Sequence, residues 1–323
     1  MTVPVCLVPW PRVSVVIPAL NEARNLPHVF VQIPPTVYEV ILVDGHSVDD
    51  TVAVARQLWP GVRVVAQNRS GKGNALACGF AAATGDIIAM IDADGSADPG
   101  EIPQFVRALL TGADFAKGTR TGEGGGSEDI TRLRHAGNRL LSLLFNACYQ
   151  TRYTDLCYGY NVFWRRCLPA LSLDSTSPPR AGEDGRLWGD GFEIETLIHI
   201  RVAKSGLKVT EVSSFEHSRI HGVSNLSAFS DGMRVLRTIF AERRRTRAHV
   251  VASIPVTEIP VTSIPVTSIP VTEIPAADLP ATVSAVADVA SAAVSQVRDI
   301  AGAVIPHQVR VEQGEPVLAG QAE

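Results

Sequence analysis

Three aspartates stand within seven residues in "AMIDADGSADP", where an apolar run ends in Asp92, Asp94 and Asp98. Two carboxylates on alternate residues at a strand exit suit a hard divalent ion. Mg²⁺ and Mn²⁺ take oxygen ligands and keep positions open for phosphate oxygens. Asp92 and Asp94 are therefore candidate metal ligands, and Asp92 also a candidate contact to a bound diphosphate. Asp98 stands before Pro99 and reads as a helix N-cap. In "VDGHSVDDT", Asp44 can accept hydrogen bonds from a base or ribose, while Ser47, Asp49, Asp50 and Thr51 include an ordinary helix start. "RSGKGNAL" is not a P-loop, since the first glycine of that motif is missing and Lys72 is followed by Gly73. It is a tight turn opening a helix, with Lys72 set beside an anionic ligand or in solvent.

These residues follow one another along a βαβ rhythm. "VSVVIP", "YEVILVD", "VRVVAQ" and "DIIAMID" are continuous Val/Ile-rich runs separated by helix-like stretches, as in a parallel sheet covered on both faces. In such sheets ligands bind beyond the carboxyl ends of the strands. "IPALNE", "VDGHSVDDT", "QNRSGKGNAL" and "DADG" are the four exits, and parallel strands bring them to one rim. The expected fold is α/β, a Rossmann-like, mostly parallel sheet with helices on both faces.

Further along, "TGEGGGSEDI" reads as a mobile loop and candidate lid. "TRLRHAGNRLLSLLFNACY" has helical spacing and should pack as a long helix. A second loop, "LDSTSPPRAGEDGRLWGDG", precedes a helix over "FEIETLIHIRVAKSG" that stops at Gly206. "LKVTEV" is a further strand, and a helix from about Leu226 to Arg247 closes the folded part. Past Val250 the pentapeptide repeat "SIPVTEIPVT" places a proline in every unit, which favours extended, disordered spacer. The chain thus divides into a domain over 1–250, a Pro-rich linker over 251–282 and an Ala/Val-rich segment with flexible tail over 283–323. That last segment is either a docking or self-association helix or a marginal helix with no partner.

Composition narrows the classes. A formal net charge of -4 over 323 residues argues against nucleic acid as partner. Five scattered cysteines without a C-x-x-C pair suggest neither a zinc site nor a disulfide framework. With no signal-peptide pattern and no charge-free span of transmembrane length, a cytoplasmic protein is expected, at most peripheral to a membrane. The run Arg234, Arg237, Arg243, Arg244, Arg245, Arg247 either meets anionic lipid or complements a helix C-terminus in solvent.

Together "VSVVIPALNE", "VILVDGHSVDDT", "RSGKGNAL", "IDADG", "KGTR" and "RIHGVSN" resemble the family-2 glycosyltransferases of GT-A fold, especially the dolichyl-phosphate mannose synthase-like branch. The resemblance runs from about Arg12 to Arg247. It implies a UDP- or GDP-sugar donor held by Pro18, Asn21, Glu22, Asp44 and Lys72, with Asp92 and Asp94 as the D-x-D pair for Mg²⁺ or Mn²⁺. "TDLCYGYNVFWR" matches the branch's D-x-x-x-G-[FY] segment and makes Asp155, Gly159 and Tyr160 candidates near sugar or acceptor. Arg219, His221, Gly222 and Ser224 match a segment that folds over the diphosphate, where His221 is a third metal ligand or a solvated histidine. Asn225 replaces the usual lysine there. "GDGFEIE" puts Asp190, Glu193 and Glu195 where relatives carry a catalytic carboxylate, Asp190 or Glu193 being preferred and Glu195 equally readable as helix surface.

The implied activity is inverting sugar transfer, to polyprenyl phosphate or another acceptor. The alternatives are a retaining transferase of glucosyl-phosphoglycerate type and a non-catalytic nucleotide-sugar scaffold. A nucleotidyltransferase is disfavoured, because no G-x-G-T-R-x-x-x-x-T segment follows the first strand.

Overall fold

The computed structural model describes residues 10–179, 186–222 and 228–245, the side chains of 228–231 excepted. The expected repeat linker, C-terminal segment and Ser224 lie outside the described residues. In chain order the elements are β1 (Val13–Ala19), α1 (Leu26–Phe30), β2 (Glu39–Asp44), α2 (Thr51–Leu58), β3 (Arg63–Ala66), α3 (Lys72–Ala82), β4 (Ile87–Met90), α4 (Ile102–Leu110), β5 (Phe115–Thr119), β6 (Gly126–Ser127), α5 (Arg132–Tyr149), β7 (Asn161–Trp164), α6 (Leu168–Leu171), α7 (Ile194–Ser205), β8 (Val209–Ser213), β9 (Phe215–Glu216) and α8 (Ala228–Arg244).

Seven strands form one sheet in the order β3-β2-β1-β4-β7-β5-β8, and β6 pairs with β9 apart from it. β7 runs antiparallel to both β4 and β5, and every other pairing in the sheet is parallel. The rhythm of the first four strands is as the sequence led one to expect. The reversal at β7 is not written in its four residues, because a short apolar run carries no direction.

Strand alternation builds a core on each face. Val13, Val15 and Ile17 of β1 meet Leu26, Val29 and Phe30 of α1 and Phe105 and Leu109 of α4. On the opposite face Val16, Ile41 and Met90 meet Leu76 and Phe80 of α3 and Leu197, Ile198 and Val202 of α7. A smaller cluster of Phe145, Ile200 and Ile239 ties α5, α7 and α8 together. The site-bearing strands are thereby clamped from both sides.

The cap expected at Asp98 and the stop expected at Gly206 are formed, and Thr131 adds a cap of its own. Asp98 accepts a bond from the Gly100 amide at 2.7 Å, and Thr131 caps α5 through the Arg134 amide at 3.3 Å. Gly206 ends α7 at φ 72°, a left-handed turn that costs glycine no Cβ clash. Two expectations need correction. The glycine-rich segment is pinned rather than loose, since Gly126 and Ser127 form β6 against Phe215 and Glu216. α5 is the expected helix, but its buried face is Asn138, Ser142 and Phe145, leaving Leu133, Leu140 and Leu143 outward.

Candidate functional site

Register sets the rim. Ala19, Asp44 and Ala66 lie side by side at the exits of β1, β2 and β3. The β1 and β2 exit loops are then laced together. Asn21, at φ 57°, accepts from the Val48 amide at 2.8 Å and donates its own amide to Ser47 Oγ at 3.0 Å. The Glu22 amide reaches Thr51 Oγ1 at 2.9 Å. Asp44 receives the Ser47 amide at 3.2 Å, and Pro18 sits in β1 opposite Val43. The side chain of Asn21 thus shapes the turn, while Asp44 stands at the edge of the rim.

The D-x-D pair leaves β4 between two cations. Lys72 Nζ lies 2.6 Å from an Asp92 oxygen and 2.6 Å from Glu195 Oε1. Arg219 reaches Asp94 at 3.2 Å and Glu22 at 3.0 Å. Asp94 also accepts from the Ser96 amide and hydroxyl, which fixes its rotamer. Residues 216–221 lie across this loop: the His217 amide donates to the Ser96 carbonyl and the Ile220 amide to that of Asp94. Gly95, at φ +81°, is required there, because a Cβ would stand 2.7 Å from the Ile220 side chain.

Glu195 was read from sequence as equally helix surface. It comes instead from the first turn of α7 into the site, with Gly159 against it, where a Cβ would sit 2.8 Å from Oε1. Side-chain exposures of 14% for Lys72, 38% for Asp92 and 18% for Glu195 leave the trio reachable from solvent. Burial acting alone would lower the Lys72 ammonium, but the two carboxylates outweigh it and hold its pKa above the usual lysine range. Burial raises the Glu195 carboxyl against the pull of Lys72, and the charge on Asp92 adds to the rise.

Asp190 and Glu193, the preferred candidate bases, serve the backbone here. Arg69 grips Asp190 through two bonds at 2.7 and 2.9 Å, the Leu187 amide donates to the same carboxylate, and the pair is 1% and 5% exposed. Glu193 accepts from the Gly189 and Gly191 amides at 3.1 and 3.2 Å. The Gly71 and Gly73 backbones dock on this turn: a Cβ on Gly73 would stand 1.8 Å from the Gly189 carbonyl, and the Gly73 amide bonds the Asp190 carbonyl at 2.7 Å. The "GKG" glycines therefore serve close approach of two chain segments, which aims Lys72.

Asp155 is likewise enclosed. Arg120 meets it through Nε, Nη2 and its backbone amide, Asn138 adds a bond at 2.8 Å, and the third guanidinium nitrogen of Arg120 holds Glu216. Burial would raise this carboxyl, yet Arg120 and the nearby Lys117 keep it well below the usual carboxylate range. Tyr160 is buried against Phe105 and donates to the Asp98 carbonyl, away from the mouth. His221 lies beside Arg24 at 3.4 Å and His28, and no three His, Cys, Asp or Glu side chains gather as an ion site among the described residues. The structure thus gathers Glu22, Lys72, Asp92, Asp94 and Arg219 with Glu195, and sets Asp155, Asp190, Glu193 and Tyr160 in supporting positions. Lys117 escaped the sequence reading altogether; a lysine inside a five-residue strand carries no sign of its full burial.

Residues 14–169 match glycosyl transferase family 2. Over that segment the chain belongs to the family. Among its curated relatives, an uncharacterised glycosyltransferase of Mycobacterium tuberculosis is 46% identical over 108 residues, 33% of this chain and 48% of that one. The chain thus spans about half the length of the curated relatives it first matches. Dolichol-phosphate mannosyltransferase of Pyrococcus furiosus is 36% identical over 126 residues, 36% of each chain. Among solved structures, glucosyl-3-phosphoglycerate synthase from Mycobacterium tuberculosis, in complex with Mn²⁺, UDP-glucose and phosphoglyceric acid, superposes with TM-score 0.55 at 26% identity, covering 72% of this chain and 80% of that one.

Proposed function

We propose that the protein transfers a glycosyl group from a nucleoside diphosphate sugar to a phosphate-bearing acceptor. The observation that carries this is the pair of cations at the D-x-D exit, Lys72 on Asp92 and Arg219 on Asp94. Breaking the bond from the sugar to its diphosphate concentrates negative charge on the leaving oxygens. Lys72 and Arg219, already oriented by their carboxylates, stabilise that charge without reorganising. The nucleoside is placed along the laced exits of β1 and β2, with Asp44 as its hydrogen-bond acceptor and Pro18, Asn21 and Glu22 shaping the wall. Relatives support the acceptor class: one is a dolichol-phosphate mannosyltransferase and another is complexed with phosphoglyceric acid.

Asp92 and Asp94 fit a divalent ion. Two hard carboxylates one residue apart, with no third protein ligand gathered among the described residues, suit an ion completed by diphosphate and water. When bound, that ion supplies Lewis-acid neutralisation of the leaving group. Glu195 is the carboxylate that remains at the mouth once Asp190 is committed to Arg69 and Glu193 to backbone amides. We assign it to hydrogen-bonding the sugar or acceptor hydroxyl beside Lys72.

The test is calorimetric titration with UDP- and GDP-sugars with and without Mn²⁺, followed by turnover of the bound donor. Metal-dependent binding and transfer are expected, and Asp94→Asn should abolish turnover while melting as the parent does. Full transfer by Asp94→Asn, or in excess chelator, overturns the reading.

A further inference from the structure

α5 and α8 lie side by side, joined by the Tyr149 hydroxyl on the Ile239 carbonyl and by Arg243 on Cys148. Each turns an unusual face to solvent. On α5, Leu133, Ala136, Leu140, Leu143 and Ala147 recur at alternating spacings of three and four, one stripe of a helix, and the three leucines are 75%, 68% and 61% exposed. Arg132 and Arg139 flank the stripe. On α8, Met233 and Phe240 are exposed among Arg237, Arg243 and Arg244. α5 contains no acidic residue, and Glu242 of α8 is buried beside Lys204 and Arg245. Every exposed side chain of α5, and every exposed one described on α8, is therefore apolar, arginine or histidine.

Apolar stripes of this size mark a contact surface, since single scattered leucines are common but a continuous row is not. Charge selects the occupant. A twofold contact between copies sets the same patch against itself, so arginine would meet arginine with no exposed carboxylate among the described side chains of α5 and α8 to separate them. A surface that is anionic at its headgroups and apolar just beneath satisfies both components at once, with the leucines at the acyl boundary and the guanidinium groups among phosphates. We propose that the α5–α8 face docks the protein on an anionic lipid membrane. No described helix is long and apolar enough to cross one, so the contact is in-plane. α5 starts just after the pinned glycine-rich segment, and its Asn138 holds Asp155, whose partner Arg120 also holds Glu216, so the docked helix is tied to the segment that leads to Arg219. The proposal deepens the transfer reading by naming where acceptor is met, but lipid binding itself does not depend on that reading.

Co-sedimentation of the full chain with vesicles, without any donor, tests it. Binding to phosphatidylcholine mixed with phosphatidylglycerol is expected, weakening as salt rises, with little binding to phosphatidylcholine alone. Neutralising three arginines (Arg237→Gln, Arg243→Gln, Arg244→Gln) should weaken binding on the order of a hundredfold. Leu140→Glu with Leu143→Glu, both at outward positions, should weaken it about tenfold or more while the melting temperature holds. Absence of binding to the anionic vesicles at low salt overturns the proposal, as does binding indifferent to both variants. A concentration-dependent dimer in lipid-free buffer, broken by the leucine variant and without vesicle binding, overturns it in favour of a second copy. Vesicle binding with no donor turnover would leave docking standing and refute the transfer reading instead.

Discussion

Two carboxylate–cation clusters lie a few residues apart in sequence and serve opposite ends. Asp190 and Arg69 are sealed, with the carboxylate bonded by two guanidinium nitrogens and a backbone amide and the arginine bonded further to the Asp174 and Ser177 carbonyls. Asp92 and Glu195 instead share a single ammonium and face solvent. A guanidinium is a planar fork that satisfies a carboxylate completely, whereas an ammonium is a point charge on a flexible stem. The first pairing finishes a structure. The second leaves acceptor capacity for a ligand, as does Asp94 beside Arg219, so how completely the carboxylate is enclosed separates strut from site better than the acid or the cation alone.

The largest expected effect is on stability at the sealed pair. Asp190→Ala leaves a buried guanidinium without its partner and should cost about 3–5 kcal/mol in denaturant unfolding. A loss below 1 kcal/mol, with turnover abolished, would show that Asp190 belongs to the site. Next comes Lys72→Met, expected to lower turnover by about 10²–10³-fold with little change in melting, as for loss of one donor to a leaving group. Single-turnover rates at saturating donor check this; an unchanged rate would place Lys72 with the struts.

Acid sharpens the contrast. Asp155 is held below the ordinary range, so its contribution is complete above its unfolded pKa, about 3.9, and fades as pH falls through that value and below. Melting temperature followed from pH 5 to pH 2 (an interval of about three units around that value) should fall less steeply in Asp155→Asn than in the parent. The smallest effect belongs to Glu193→Gln. Its amide oxygen can still accept from Gly189 and Gly191, so stability and turnover should both stay within about twofold of the parent. A collapse of turnover in this variant would restore Glu193 as a base and dismantle the comparison.

Much of this was legible beforehand because it is local. The Val/Ile runs, the polar exits, the cap at Asp98 and the stop at Gly206 are each written within a few neighbouring residues. Long-range choices were not. Lys72 and Glu195 are 123 positions apart and Arg69 and Asp190 are 121, so nothing in "GDGFEIE" reveals which carboxylate turns toward the β4 exit. β7 was missed for the same reason, since its place between β4 and β5 is decided by pairing partners. The leucines of α5 misled most instructively: helical periodicity identified a face but not whether that face looks inward.

The segment "TGEGGGSED" has the makeup of a linker, but from Gly125 onward none of a linker's freedom. Gly126 lies where any Cβ would press 2.7 Å from the Phe215 ring, Ser127 and Arg120 both bond Glu216, and the Glu128 amide bonds the Glu216 carbonyl. Length is therefore as constrained here as in a strand. A residue inserted at 126–128 would shift β6 out of step with β9 and drag on the very stretch that carries Arg219, while the turn at Gly112 between α4 and β5, with nothing within 4 Å of a Cβ, has room for one. For grafting tags or swapping loops, the composition of the two places recommends the wrong one.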